Sequence, residues 1–247
     1  MSFITACYSG KGGRTKNEDD IYHNQINDTY IAIVADGLGM HGGGEIASAA
    51  VVDTISKSFL EKPLIEKNAV SDYFITANNA VLSKQTISCK MKSTVVMLLS
   101  KHKKLAFAHV GDSRLYHFSG GKLVFQTQDH SVSQMAVASG EINVSQIRFH
   151  EDRNRLLRAM GGDVTIRPEI LLPKDSVKDN DSFLLCSDGF WEYVLESEME
   201  IDLMKSDTPD KWISNLLERV GKRINGKNDN LSVIAIFFSE SKEKRVK

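Results

Sequence analysis

This 247-residue chain is short of the residues that staple or interrupt a fold. Cysteine is scarce: Cys7, Cys89 and Cys186 are an odd number with no C-x-x-C spacing, which points to a reducing compartment. Only four prolines and no low-complexity stretch occur, so neither linker nor repeat is expected. A single domain over residues 1–238 follows, with a charged, disordered tail over 239–247. Net charge is missing too. The 31 basic and 32 acidic residues leave −1, and bulk electrostatics predicts neither nucleic-acid nor anionic-membrane binding. The longest apolar runs, near 30–35 and 233–238, fall far short of the ~20 residues that span a bilayer. No basic segment followed by an apolar stretch opens the chain, so no signal peptide is expected and the protein is read as soluble and cytoplasmic. Gly10-Lys-Gly-Gly13 lacks the spacing of a phosphate-binding loop. Length sets no such limit: 247 residues can bury roughly 70–75% of their unfolded surface.

What is present is a series of short runs rich in β-branched residues. Strands are predicted over 3–8, 30–35, 94–100, 105–110, 115–118, 122–126, 182–186 and 231–238. The links 101–104, 111–114 and 119–121 are too short for a parallel crossover, so the strands they join should run antiparallel. Apolar residues at three- and four-residue steps predict helices over 45–60, 68–85, 131–139, 152–160 and 209–224. In the first of these, Ile46, Ala49, Val52, Ile55, Phe59 and Leu60 lie near one face. The last begins with Thr208 as N-cap and Pro209 at the first helical position. Strands interrupted by paired helices, rather than strict alternation, indicate an α+β fold with antiparallel sheet.

Acidic residues recur at the ends of these strands. Asn17-Glu-Asp-Asp20 lies in a turn after the first strand, and Asp36-Gly37 ends the second. Gly111-Asp-Ser-Arg114 follows the fourth, Cys186-Ser-Asp-Gly189 ends a later one, and Asn228-Asp-Asn230 begins the last. A carboxylate beside Gly or Asn at a strand end is ordinarily a turn residue. Five such places suggest convergence, and convergence has a cost. Two carboxylates about 4 Å apart repel by roughly 4 kcal/mol at an effective dielectric near 20. A cluster of them calls for cations. Oxygen donors without Cys or His at zinc spacing favour Mg²⁺ or Mn²⁺, and a pair of such ions is a familiar centre for phosphoryl chemistry.

Taken in order, these motifs resemble the PPM (PP2C-type) metal-dependent protein serine/threonine phosphatases in their compact bacterial form. R-T-K-N-E-D from Arg14 is similar to the family's R-x-x-N-E-D. The run V-A-D-G-L-G-M-H-G-G-G-E-I-A from Val34 is similar to D-G-x-G-x-H-x-x-G-E-x-A. Ser93-Thr94, Val110-Gly-Asp-Ser-Arg-Leu-Tyr116, Gln128-Asp-His-Ser131, Cys186-Ser-Asp-Gly-Phe-Trp191 and Asp229-Asn230 complete the series over nearly the whole chain. The resemblance implies a four-layer αββα sandwich of two stacked antiparallel sheets flanked by helix pairs. It implies two Mn²⁺ or Mg²⁺ ions, bridged by Asp36 and held also by Asp19, the Gly37 carbonyl, Asp188 and Asp229. A weaker third ion falls to Asp112 and Asp188, helped by Glu192. Glu18 would orient the water and Arg14 would grip the substrate phosphate with its guanidinium fork.

The implied reaction is hydrolysis of phosphoserine and phosphothreonine in proteins by direct attack of a metal-bridging water, without a covalent enzyme intermediate. His41 is a candidate acid for the leaving oxygen, although water can fill that role and a loop histidine needs none. The stretch 131–149, between His130 and His150, resembles the family's flap, read either as a substrate selector or as a surface loop. Phe190, Trp191 and Tyr193 read as core or groove wall. The expected partners are phosphoproteins and an opposing Ser/Thr kinase, with no nucleic acid and no membrane; a monomer is expected. Two rivals stand beside this reading. Paired carboxylates also serve glycosidases, without metals, and a family member that has lost its metal carboxylates can persist as a binding module.

Overall fold

The computed structural model describes residues 2–39 and 42–240. The chain begins with β1 (Ser2–Gly10), β2 (Asp19–Ile26) and β3 (Thr29–Leu38), followed by the helices α1 (Gly44–Glu61) and α2 (Lys67–Lys84). Next come β4 (Lys92–Ser93), β5 (Val95–Lys101), β6 (Lys104–Val110), β7 (Arg114–Ser119) and β8 (Lys122–Gln126). A short helix α3 (Val132–Ala138) and a 3₁₀ turn (Val144–Phe149) lead to β9 (Glu169–Leu171) and β10 (Asp181–Cys186). Three helices, α4 (Asp188–Trp191), α5 (Glu196–Met204) and α6 (Pro209–Arg223), precede β11 (Leu231–Ser239).

Two antiparallel sheets form, in the orders β1-β11-β10-β7-β8 and β2-β3-β5-β6-β9, with β4 appended to β3. They stack because their central strands are apolar on both faces. Tyr30, Ala32 and Val34 of β3 meet Leu185, Ile234 and Ile236 of the opposite sheet. The alternate residues Ile31, Ile33 and Ala35 pack outward under α1 and α2. On the other side Val233 and Ala235 of β11 pack under α5 and α6, with Trp212 and Leu216. The result is α+β, four layers deep, as the sequence implied. At α6 the Thr208 hydroxyl accepts from the Lys211 N–H at 3.2 Å, with Pro209 at the first turn.

Several local expectations change. Residues 19–26 form an edge strand, where the sequence suggested only a turn over 17–20, because the ladder of β3 fixes a polar segment that carries little strand pattern itself. The link 111–114 is not a hairpin. It carries the chain from β6 in one sheet to β7 in the other. The buried stripe of α1 runs Ala47, Val51, Ile55, Phe59, and Ile46 and Ala49 are exposed, so the helix is rotated from the predicted face. Small residues next to the sheet allow that closer approach. Residues 152–160 are not helical, because their backbone bonds go elsewhere: Ser93 and Met160 exchange both N–H···O bonds and Leu157 N–H reaches His130 O. Helices α4 and α5 had no predicted counterpart. The last strand runs on through Ser239, and Glu240 donates its N–H to Asp179 and meets Lys103. The rest of the expected tail lies outside the described residues. No described helix is long and apolar enough to cross a membrane.

Candidate active site

Register brings the first two carboxylates together. In the β2–β3 ladder Asp19 is the direct partner of Asp36, so two acids stand opposite each other on one face of the sheet. Like charges in that position are destabilising. Asp188 joins from the start of α4, just beyond β10, and Asp229 from just before β11. Asp112 arrives on the link between the sheets. Asp36, Asp112, Asp188 and Asp229 line a cleft of about 510 Å³ with Glu18, Gly37 and Arg14. Asp19 lies just beneath, its Oδ2 accepting from Ser187 Oγ at 2.8 Å.

Electrostatics reflects this crowding. Burial, then Asp188, Asp19, Asp112 and Asp229, push the Asp36 carboxyl well above its ordinary value. Burial, then Asp112, Glu192 and Asp229, do the same to Asp188. Asp19 is pushed up to about 6 and Asp112 to about 7, in each case chiefly by burial. Burial first, and Glu45 next, also raise Glu18.

The donor set fits hard divalent ions. It is all oxygen, and Asp19 Oδ1 is buried with no hydrogen-bond donor among the described residues, an acceptor left for a cation. Position 37 must be glycine for a backbone reason: a Cβ there would lie 2.2 Å from Gly44 O and 2.5 Å from Glu18 O. Gly37 thus lets the start of α1 and the Glu18 backbone come close beside Asp36.

Arg14 lines the cleft from its rim, where Nε and Nη2 grip both oxygens of Asp229 at 2.9 and 2.6 Å. Glu192 does not line the cleft, although it raises both Asp112 and Asp188. One of its oxygens accepts from Arg153 Nε at 2.7 Å. His41 lies outside the described residues. Asn154 and Leu156 also line the cleft, from beyond the 131–149 stretch that resembled a flap.

Three positioning groups had a weak signal in the sequence or none. Thr94 Oγ1 accepts from the Asp36 N–H and pairs with Ser113 Oγ at 2.7 Å, while Thr94 N–H and Ser93 Oγ hold the Asp36 carbonyl. Asn230 fastens the 11–18 loop: its Oδ1 accepts from Glu18 N–H and its Nδ2 donates to the Lys11 and Lys16 carbonyls. The motif D-N placed Asn230 beside Asp229 without saying what it does.

A second group, His109, His130 and Glu169, brings three donor atoms within 4.8 Å of one another. It is not built to chelate. The imidazoles are stacked at 4.5 Å and only 12° from parallel, so their in-plane lone pairs do not converge. His130 Nδ1 accepts from the Gly111 N–H, which leaves the proton on Nε2. Burial, then His109 and Arg158, push His130 down to about 3, so its contact with Glu169 is not an ion pair. The stack pins the 128–131 segment to β6.

A family model described as Protein phosphatase 2C matches residues 11–232. A serine/threonine phosphatase stp of Listeria welshimeri is 30% identical over 203 residues, which is 78% of this chain and 79% of that protein. The crystal structure of the serine/threonine phosphatase Stp1 from Staphylococcus aureus superposes with a TM-score of 0.85 at 28% identity, over 97% of this chain and 96% of that one. The catalytic domain of the phosphatase PstP, in complex with two manganese ions, gives a TM-score of 0.80 over 96% of this chain and 99% of its own. At 24% identity that likeness concerns the fold alone.

Proposed function

Because the chain belongs to the protein phosphatase 2C family, we propose that it is a bacterial-type serine/threonine protein phosphatase, a phosphoric monoester hydrolase acting on phosphoserine and phosphothreonine in proteins. The observation that carries the catalytic part is the pairing of Asp19 with Asp36 in register, at the floor of a cleft ringed by Asp112, Asp188 and Asp229. Two Mn²⁺ or Mg²⁺ ions would be held there by Asp19, Asp36, the Gly37 carbonyl, Asp188 and Asp229. Asp112 and Asp188 would hold a weaker third ion, with the Glu192 oxygen that Arg153 does not bind. When bound, the ions supply a water acidic enough to attack phosphorus in line and positive charge over the phosphoryl oxygens.

The chain's own residues do the rest. Arg14, on the rim, turns its fork to two phosphate oxygens and orients the ester across the carboxylate floor. Glu18, at the cleft beside Asp36 and Gly37, would orient the attacking water. Thr94 and Ser93 fix Asp36 from behind, and Asn230 fixes the loop that carries Glu18. The leaving oxygen takes its proton from His41 or from water.

Substrates of this class imply an opposing Ser/Thr kinase. The three cysteines, all free, agree with a reducing compartment, and we assign the protein to the cytoplasm as a single-domain monomer.

Assays of p-nitrophenyl phosphate and phosphothreonine peptides should show turnover with Mn²⁺, loss with EDTA and recovery on adding metal back. A phosphotyrosine peptide serves as the poor-substrate control. Asp36→Ala should abolish turnover while circular dichroism stays that of the parent. Activity indifferent to EDTA, or retained in Asp36→Ala, would sink the reading.

A further inference from the structure

Trp191 is fully buried, yet it is wired unlike a packing residue. Its indole Nε1–H donates to the carbonyl of Asp112 at 2.9 Å. The Arg114 guanidinium lies 3.4 Å from the indole ring centroid and that of Arg148 5.7 Å. Arg114 is itself held by two bonds to Asp129, at 2.8 and 2.7 Å. Arg148 comes from the 3₁₀ turn 144–149. Its Nε donates to the Trp191 carbonyl at 3.1 Å, and its Nη2 to the Val194 carbonyl at 3.0 Å and to Glu196 at 2.7 Å. Trp191 also closes the single helical turn α4 that Asp188 opens, three residues earlier.

Trp191 therefore ties together three pieces of backbone: the link carrying Asp112 through its indole N–H, the turn carrying Asp188 of which it is part, and the 144–149 segment through its own carbonyl and Arg148. Hydrophobic packing alone does not account for this. Taking two guanidinium groups out of water is costly, and an aliphatic core of the same volume is often as stable or more so. What the network adds is orientation, because every bond in it has a direction.

We propose that Trp191 is a positioning residue, setting Asp112 relative to Asp188 through its indole N–H, and that Arg148 locks this setting to the 144–149 segment. The proposal rests on the reading that Asp112 and Asp188 share a divalent ion. Neither Trp191 nor Arg148 touches the reacting groups. Their effect passes through the two carboxylates.

Two variants test it. Trp191→Phe keeps an aromatic ring and removes the N–H. Arg148→Met, at the edge of the network, removes the cation and its three bonds and carries the test should Trp191→Phe fail to fold. Mn²⁺ binding is followed without substrate, by electron paramagnetic resonance of the free ion. In both variants the weakest class of bound Mn²⁺ should lose about tenfold in affinity, with the tighter class within about twofold of the parent. Thr208→Ala, which only uncaps α6, controls for stability: it should lower the melting temperature and leave Mn²⁺ binding as in the parent. Trp191→Phe and Arg148→Met proteins that melt lower yet bind Mn²⁺ as the parent does would reduce Trp191 to core and overturn the proposal. A parent that neither binds Mn²⁺ nor hydrolyses phosphothreonine peptides would instead overturn the phosphatase reading, and this inference with it.

Discussion

At the scale of single residues, function and stability oppose each other at Asp36. Without metal, its carboxyl and those of Asp19 and Asp112 are raised above their ordinary value of 3.8, Asp19 to about 6 and Asp112 to about 7. The folded chain then holds protons that the unfolded chain has already released. The stability these groups contribute is fully present below about pH 4 and is lost as pH rises toward 7. His130, pushed down to about 3, acts in the opposite sense, its contribution lost as pH falls below the ordinary histidine range. Comparing Asp36→Asn with the parent cancels the histidine. In EDTA the variant should melt roughly 2–6 °C higher at pH 8, and the gap should shrink toward pH 5; a scanning fluorimetry series would check both. Arg14 makes a second prediction. Lysine carries the charge without the fork, so Arg14→Lys should lower kcat/KM for phosphopeptides roughly 10- to 100-fold while circular dichroism stays unchanged. Parent-like steady-state constants would remove Arg14 from phosphate recognition.

Among the elements, the link between β6 and β7 matters most for the site. It leaves one sheet, enters the other, and delivers Asp112 on the way. Gly111 makes the crossing with φ +104°, a backbone few other residues adopt, and a Cβ there would sit 2.6 Å from Thr94 Cβ. Thr94 is the residue whose hydroxyl holds the Asp36 N–H. Gly111→Ala should therefore cost about 2 kcal/mol or more, seen as a melting temperature lower by roughly 4–8 °C. Its activity should fall further than stability alone explains, because Thr94 is pushed. A variant that melts and turns over like the parent would show the crossing to be tolerant.

For the molecule as a whole, two sheets share one apolar interface, and their ends are held in register beside the cleft. The buried Arg114–Asp129 pair, its side chains 2% exposed, lies at that end. Breaking it leaves Asp129 without its cation, or Arg114 with only the more distant Glu196 at 3.7 Å as a charged partner. Arg114→Met or Asp129→Leu alone should cost about 3–5 kcal/mol, and the double variant should cost less than the sum of the two. Urea unfolding of the three variants would measure the coupling; strict additivity would show that the pair contributes no specific interaction.

The order of short apolar strands, helices and strand-end carboxylates was legible from residue types, since α+β architecture follows from local pattern and the expectation of a hard-cation site from donor chemistry. Asp36, Asp188 and Asp229 needed only their neighbours in sequence to stand out. By sequence alone Asp19 falls in a turn, because the polar segment 19–26 becomes a strand only when β3 offers it a ladder. The rotation of α1, the unwound 152–160 and the sheet-to-sheet path of 111–114 were equally hidden, each being decided by partners far away in the chain. So was the seat of Trp191, whose N–H finds the Asp112 carbonyl across 79 residues. Local sequence determines which groups can do chemistry and the kind of element that bears them. The tertiary structure alone decides which of them face one another, because that depends on contacts whose two halves no short stretch of sequence contains.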